Sequence, residues 1–162
     1  MTAGDKIKAE DELCKLLSEL RSAGKRTVWT NGCFDILHRG HVSYLEQAAR
    51  FGDLLVVGLN SDSSVRSVKG PDRPVNCQND RAQALAALSC VNYVVIFDDP
   101  TTVRLLDLLK PDVYAKGGDY TIDTINQDER KVVEGYGGSI ELLPEVKGVS
   151  TTRIIEQIRE QS

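Results

Sequence analysis

Leu54-Leu55-Val56-Val57-Gly58-Leu59 runs for six residues without a polar side chain. A strand wetted on one face alternates apolar and polar residues. An unbroken apolar run bounded by turn signals is the pattern of a strand covered on both faces, as in a parallel sheet between two layers of helix. Reading outward, residues 41–51 fit a helix stopped by Gly52, and Thr27-Val28-Trp29-Thr30 is a β-rich run closed by Asn31-Gly32. Strand, helix and buried strand follow one another, which is the order of a parallel crossover.

The alternation continues in both directions. Residues 7–21 place Ile7, Leu13, Leu16, Leu17 and Leu20 on a helical stripe ended by Gly24. Residues 61–77 are polar and contain Pro71 and Pro74, so they read as a long loop, a candidate lid carrying Lys69. Helices are expected over 79–89, 101–110, 124–135 and 150–160, and strands over 91–97, 113–115 and 139–143. Five strands separated by helices predict one α/β domain built on a doubly wound five-stranded parallel sheet with one extra amino-terminal helix. Such sheets bind ligands beyond the carboxyl ends of their strands. The loops after Thr30, Asn60, Phe97, Ala115 and Leu143 are therefore where chemistry belongs.

Composition narrows the class. The chain has 162 residues, 41% hydrophobic and 27% charged, which suits one soluble globule with its own core. A net charge of −4 disfavours a general nucleic-acid binder, which needs a basic face to displace phosphate counterions. No window approaches the roughly 18 apolar residues of a membrane span, and the amino terminus carries no apolar signal region. Cys14, Cys33, Cys77 and Cys90 show no C-x-x-C pairing, as expected of free thiols in a reducing cytoplasm.

The loop after the first strand reads Thr30-Asn31-Gly32-Cys33-Phe34-Asp35-Ile36-Leu37-His38-Arg39-Gly40-His41. Gly32 lets the backbone turn closely and present N–H groups to an anion. His38 and His41, the only two histidines, lie three apart at a helix start, where the positive end of the helix dipole adds to their donors. Zinc ligation would need third and fourth ligands at suitable spacing, and the sequence offers none. No Ser/His/Asp or Cys/His nucleophilic arrangement stands out either.

The string G-x-F-D-x-x-H-x-G-H from Gly32 to His41 resembles the signature of the HxGH nucleotidyltransferases, a Rossmann-like superfamily that includes cytidylyltransferases. Lys69-Gly70, Arg73-Pro74-Val75-Asn76, Arg81-Ala82, Lys116-Gly117-Gly118-Asp119-Tyr120 and Ser150-Thr151-Thr152 narrow it. Over residues 7–160 the chain resembles the adenylyltransferases of ADP-heptose biosynthesis, in the stand-alone form without the sugar kinase often fused to them.

The resemblance implies a helical extension at 1–25 and a nucleotidyltransferase domain at 26–162. It implies transfer of AMP from Mg-ATP to D-glycero-D-manno-heptose 1-phosphate, with the magnesium held by the triphosphate and no metal site on the protein. His38, His41 and Lys69 take catalytic roles. Nucleotide binding falls to Thr30, Asn31, Gly32, Cys33, Phe34, Lys116, Gly117, Gly118, Asp119, Ser150, Thr151 and Thr152. Asp35, Asn60, Asp62, Arg73 and Arg81 face the acceptor. A homodimer or higher homo-oligomer, and no nucleic-acid or membrane partner, complete the expectation. Much of the superfamily ends its second motif S-[ST]-T-x-x-R; here that place is Ile155, and Arg153 directly follows Thr152, so the distal arginine's role does not transfer. Two alternatives stay open: a glycerol-3-phosphate cytidylyltransferase-like enzyme, and a nucleotide-binding sensor without catalysis.

Overall fold

The structure is a computed structural model and describes residues 1–162. Five strands, β1 (Thr27–Gly32), β2 (Leu54–Asn60), β3 (Tyr93–Phe97), β4 (Val113–Gly117) and β5 (Ser139–Leu143), form one sheet in the order β3-β2-β1-β4-β5. Every pairing is parallel. The helices are α1 (Ala3–Lys6), α2 (Glu10–Ser22), α3 (Arg39–Ala49), α4 (Asp62–Lys69), α5 (Gln78–Ala86), α6 (Val103–Leu109), α7 (Gln127–Gly135) and α8 (Thr151–Glu160). The doubly wound five-stranded sheet expected from the sequence is present.

The apolar runs divide between two cores by the period of two inherent in a strand. Val28, Leu55, Val57, Leu59, Val94 and Val113 face one way, onto Leu45 and Ala48 of α3 and Ala82, Leu85 and Ala86 of α5. Trp29, Val56, Val95 and Tyr114 face the other way, onto Leu13 and Leu17 of α2, Leu105, Leu106 and Leu109 of α6 and Val133 of α7. Each fully enclosed Val or Leu among them contributes about 1.5–3 kcal/mol of apolar burial. Leu13 and Leu17 are 0% and 2% exposed, so α2 packs into the second core, while Ala3 and Ile7 pack against the first.

Two elements differ from the expectation. The helix expected over 7–21 begins at Glu10, because Ile7 bridges to Val94 and Lys8 N–H donates to the Val94 carbonyl, covering the edge of β3. Three acidic residues, Glu10, Asp11 and Glu12, then open α2 where the helix dipole favours them. The long loop expected over 61–77 is half helix. Ser61 caps α4 by accepting from the Ser64 N–H at 3.1 Å, and Val65 is fully buried beneath it. Lys69 is therefore the last residue of a helix, and only the stretch after it is loop.

β1 runs beside β2 from Thr27 to Gly32 but meets β4 only at Val28–Val113 and Trp29–Tyr114. Beyond Trp29 the two middle strands part, and this opening at the point where strand order reverses makes the cleft. Gly58 lies beside it. A Cβ there would sit 2.4 Å from Trp29 Cζ2, so only glycine admits the buried indole. Gly58→Ala should destabilise the protein by about 1–3 kcal/mol through overpacking, read as a lower denaturation midpoint at unchanged slope.

Candidate active site

The carboxyl ends of β1 and β4, the start of α3 and the start of α8 enclose a cleft of about 600 Å³, within the range of small-ligand sites. Most of the expected site residues line it: Asn31, Gly32, Cys33, Phe34, Asp35, His38, His41, Asn60, Lys69, Arg73, Lys116, Gly117, Gly118, Ser150, Thr151 and Thr152.

His38 is the N-cap of α3, its Nδ1 accepting from the Gly40 N–H at 3.1 Å. That acceptor role places the proton of the neutral ring on Nε2. Gly40 is required by the same contact, since a Cβ there would fall 2.9 Å from His38 Cε1. His41, one turn on, stacks on His38 with centroids 3.8 Å apart and planes inclined by 22°. The Phe34 ring meets it edge-on at 5.2 Å. Phe34 itself has φ of 44°, an uncommon left-handed conformation that turns the loop back over the helix start.

Burial holds both imidazoles below their usual pKa. His38 is lowered by burial, with Glu145 opposing. His41 is pushed down to about 4 by burial first and by the neighbouring His38 second, with the Ile36 backbone pulling weakly upward. At neutral pH the pair is uncharged, each ring keeping one N–H to offer. The unfolded chain takes up the His41 proton near pH 6.5, the native chain only near 4, so the unfolded state binds more protons between these values. Stability should fall as pH drops from about 6.5 to about 4, and His41→Asn should flatten that slope in urea titrations at stepped pH.

The second phosphate-ready element is the start of α8. Ser150 caps it by accepting from the Arg153 N–H at 3.1 Å, and Thr151 Oγ1 donates to the Ile36 carbonyl at 3.3 Å, joining α8 to the histidine loop. Arg153 turns away and donates to the Gly148 carbonyl. On the opposite lip Arg73 has a side chain only 16% exposed, and its Nε is fixed to Asp35 at 2.6 Å. Burial pushes the Cys33 thiol up, and the positive charges of Lys69, Arg81 and Arg73 pull it back.

Four expected contacts, Arg81, Asp62, Thr30 and Asp119, are corrected by the geometry. Arg81 has a side chain 0% exposed, and its nitrogens donate to the carbonyls of Asn76, Cys33 and Asn60 and to Asp62 Oδ1, so it braces three segments from within and does not reach the cleft. Asp62, its partner, lines a neighbouring groove with Ser61, Arg66 and Gln78. Asp35, 3% exposed, lies on the cleft wall, where it accepts from the Val75 and Asn76 N–H groups and from Arg73 Nε, and so clasps the loop after α4 onto the end of β1. Burial alone would raise its pKa, but the Asn76 and Val75 amides and Arg73 outweigh it and hold it low. Thr30 is enclosed, its hydroxyl 2.6 Å from that of Tyr44, and Asp119 is exposed outside the cleft.

The cleft also holds residues that the sequence reading passed over. Tyr44 follows His41 by three on the same face of α3, and its hydroxyl donates to the Ala115 carbonyl at 2.9 Å, tying helix to β4. Thr102, Asn126 and Glu129 come from the starts of α6 and α7. Asn126 followed three residues later by Glu129 is a capping-box spacing that could have marked that helix start. No group of three or more His, Cys, Asp or Glu side chains is arranged to hold a metal ion. No helix is long and apolar enough to cross a membrane.

Comparison with known proteins agrees with this geometry. The bifunctional protein HldE of Geotalea uraniireducens is 56% identical over 154 residues, covering 95% of this chain and 31% of that protein. HldE of Syntrophotalea carbinolica is 54% identical over 153 residues, covering 94% of this chain and 31% of that protein. The chain thus spans about a third of the length of these relatives. Among solved structures, the lipopolysaccharide core biosynthesis protein of Thermoplasma volcanium superposes with a TM-score of 0.63 at 26% identity, covering 78% of this chain and all of that one. The cytidylyltransferase-like family model matches residues 29–157, from the middle of β1 into α8 and so across every wall of the cleft. The chain belongs to the cytidylyltransferase-like family of nucleotidyltransferases.

Proposed function

We propose that the chain transfers AMP from Mg-ATP to a heptose 1-phosphate, releasing pyrophosphate and ADP-heptose. The observation that carries this reading is the stacked pair His38–His41 on a capped helix start, facing the starts of α8 and the Gly32–Phe34 turn across one cleft. The acceptor phosphate is already an anion near neutral pH, so it needs no general base. Rate then comes from alignment and from neutralising charge on the transferred phosphorus.

The residues divide that work. His38 and His41 offer ring N–H donors toward the α-phosphate and its transition state, adding to the unpaired N–H groups at the start of α3. Gly32, Cys33 and Phe34 offer backbone donors, and Ser150, Thr151 and Thr152 receive the other phosphates at α8. Lys69 and Arg73 stand where an approaching acceptor phosphate needs compensating cations. Magnesium brought in by the triphosphate supplies further neutralisation, and the cleft, lacking a carboxylate cage, fits an ion carried by the nucleotide better than a resident one. A cytoplasmic homo-oligomer is part of the same proposal.

The test is pyrophosphate release with ATP or CTP against α- and β-D-glycero-D-manno-heptose 1-phosphate and glycerol 3-phosphate. ATP with one heptose anomer should give turnover. Turnover only with CTP and glycerol 3-phosphate reassigns the substrates, and nucleotide binding without turnover in any pairing makes the protein a sensor.

A further inference from the structure

Glu129 has no part in that division of work, yet it is a carboxylate with a side chain only 5% exposed on the wall of the cleft. It rises from the first turn of α7. Oε1 accepts from the Thr102 N–H at 3.2 Å and from the Thr102 hydroxyl at 3.0 Å; Oε2 lies 2.9 Å from the Tyr114 hydroxyl. Lys116 Nζ stands 3.7 Å from Oε2 and donates to the Tyr114 oxygen at 3.3 Å. The Asn31 side chain closes the network, 3.1 Å from the Tyr114 hydroxyl and 3.4 Å from that of Thr102.

Strand register explains the grouping. Trp29 pairs with Tyr114 on the face covered by α6 and α7. Two residues further along each strand, on that same face, come Asn31 and Lys116, where β1 and β4 have parted. The histidines belong to α3 on the opposite face.

Two consequences define what this wall can bind. Glu129 already occupies the first backbone donor of α6 and is paired with Lys116, so this wall offers a phosphate neither a free helix start nor an uncompensated cation. The groups left to the cleft, the Asn31 amide nitrogen and the Lys116 ammonium, are donors, and with the ammonium's charge offset by Glu129 they suit uncharged oxygen acceptors such as sugar hydroxyls. Phosphates are sorted to the histidine face and hydroxyls to this one. We propose that this wall is a sugar-hydroxyl subsite in which Asn31 and Lys116 make the contacts. Glu129 is the positioning residue that holds both, through Thr102 and Tyr114. The inference rests on the reading of the cleft as a sugar-phosphate nucleotidyltransferase site. The chemistry, adjacent hydroxyls on a sugar ring, is common to the ribose of ATP and to the acceptor.

Glu129→Gln keeps the shape and removes the charge. Binding by calorimetry, without turnover, compares ATP with 2′,3′-dideoxy-ATP, and heptose 1-phosphate with inorganic phosphate. The wild-type chain should prefer the hydroxylated member of at least one pair by roughly tenfold, the value of one well-made hydrogen bond. The variant should lose that preference while binding the hydroxyl-poor member within about twofold of wild type. Tyr114→Phe, which removes the central hydroxyl, should do the same, and thermal unfolding monitors both variants for folding. Loss confined to the ATP pair places the ribose at the subsite; loss confined to the other pair places the acceptor there. Equal weakening of both members of each pair, or no change in either, overturns the subsite. These are binding measurements, so a wild-type chain that releases no pyrophosphate with heptose 1-phosphate would overturn the substrate assignment while leaving the ATP comparison decisive for the subsite.

Discussion

His41→Ala should lower kcat/KM by about 10²–10³. A donor aimed at charge that develops only in the transition state is worth about 2.7–4 kcal/mol in comparable sites, and the loss should fall mainly on kcat. The geometry favours a large effect: the ring is half-buried, fixed between His38 and Phe34, and neutral until an anion arrives, so little reorganisation precedes its hydrogen bond. Because the same ring also packs the loop, steady-state kinetics must be read beside thermal unfolding and ATP affinity. A folded variant with near-normal kcat would remove His41 from the chemistry.

Arg81→Met should destabilise the protein strongly while leaving the cleft's own groups in place. The substitution strips donors from three carbonyls, those of Cys33, Asn60 and Asn76, and leaves Asp62 without its cation. Breaking a buried ion pair from one side costs about 3–5 kcal/mol; the lower end applies here because Asp62 keeps a side chain 27% exposed. At about 2–4 °C per kcal/mol for a chain of this size, Tm should drop by about 6–12 °C. An arginine that bound the acceptor phosphate would behave in the opposite way, raising the acceptor KM with Tm unchanged.

Arg81 also shows where sequence reasoning stops. The sheet was legible because Leu54–Leu59, Tyr93–Phe97 and Val113–Ala115 are apolar on both faces, and the helices between them carry Gly stops and apolar stripes. The histidine loop was legible because its spacing is specific. Arg81 looks like any surface cation until its depth is known, since charge marks a residue as polar without saying whether water or carbonyls will solvate it. α4 was hidden by weak helix formers: Ser61, Ser63, Ser64 and Ser67 read as loop, and the burial of Val65 that pins the helix is a tertiary fact. Asp35 sits inside the recognised motif, yet its partners at Val75 and Asn76 lie 40 and 41 residues away, beyond any local pattern. Glu129 was missed for the same reason, its partners at Thr102 and Tyr114 being brought close only by the crossovers.

The nitrogen that caps α3 has a consequence of its own. His38 Nδ1 can accept from the Gly40 N–H only while it carries no proton. A cationic His38 would have to release the first turn of the helix on which His41 rides. The fold thus enforces a division within one ring: Nδ1 serves the backbone as a permanent acceptor, and Nε2 is the nitrogen left to donate. Pointing the ring is thereby accomplished during folding, long before any nucleotide is met. The same economy makes the site intolerant, for a residue that is at once a splint and a tool leaves evolution little freedom to change either role separately.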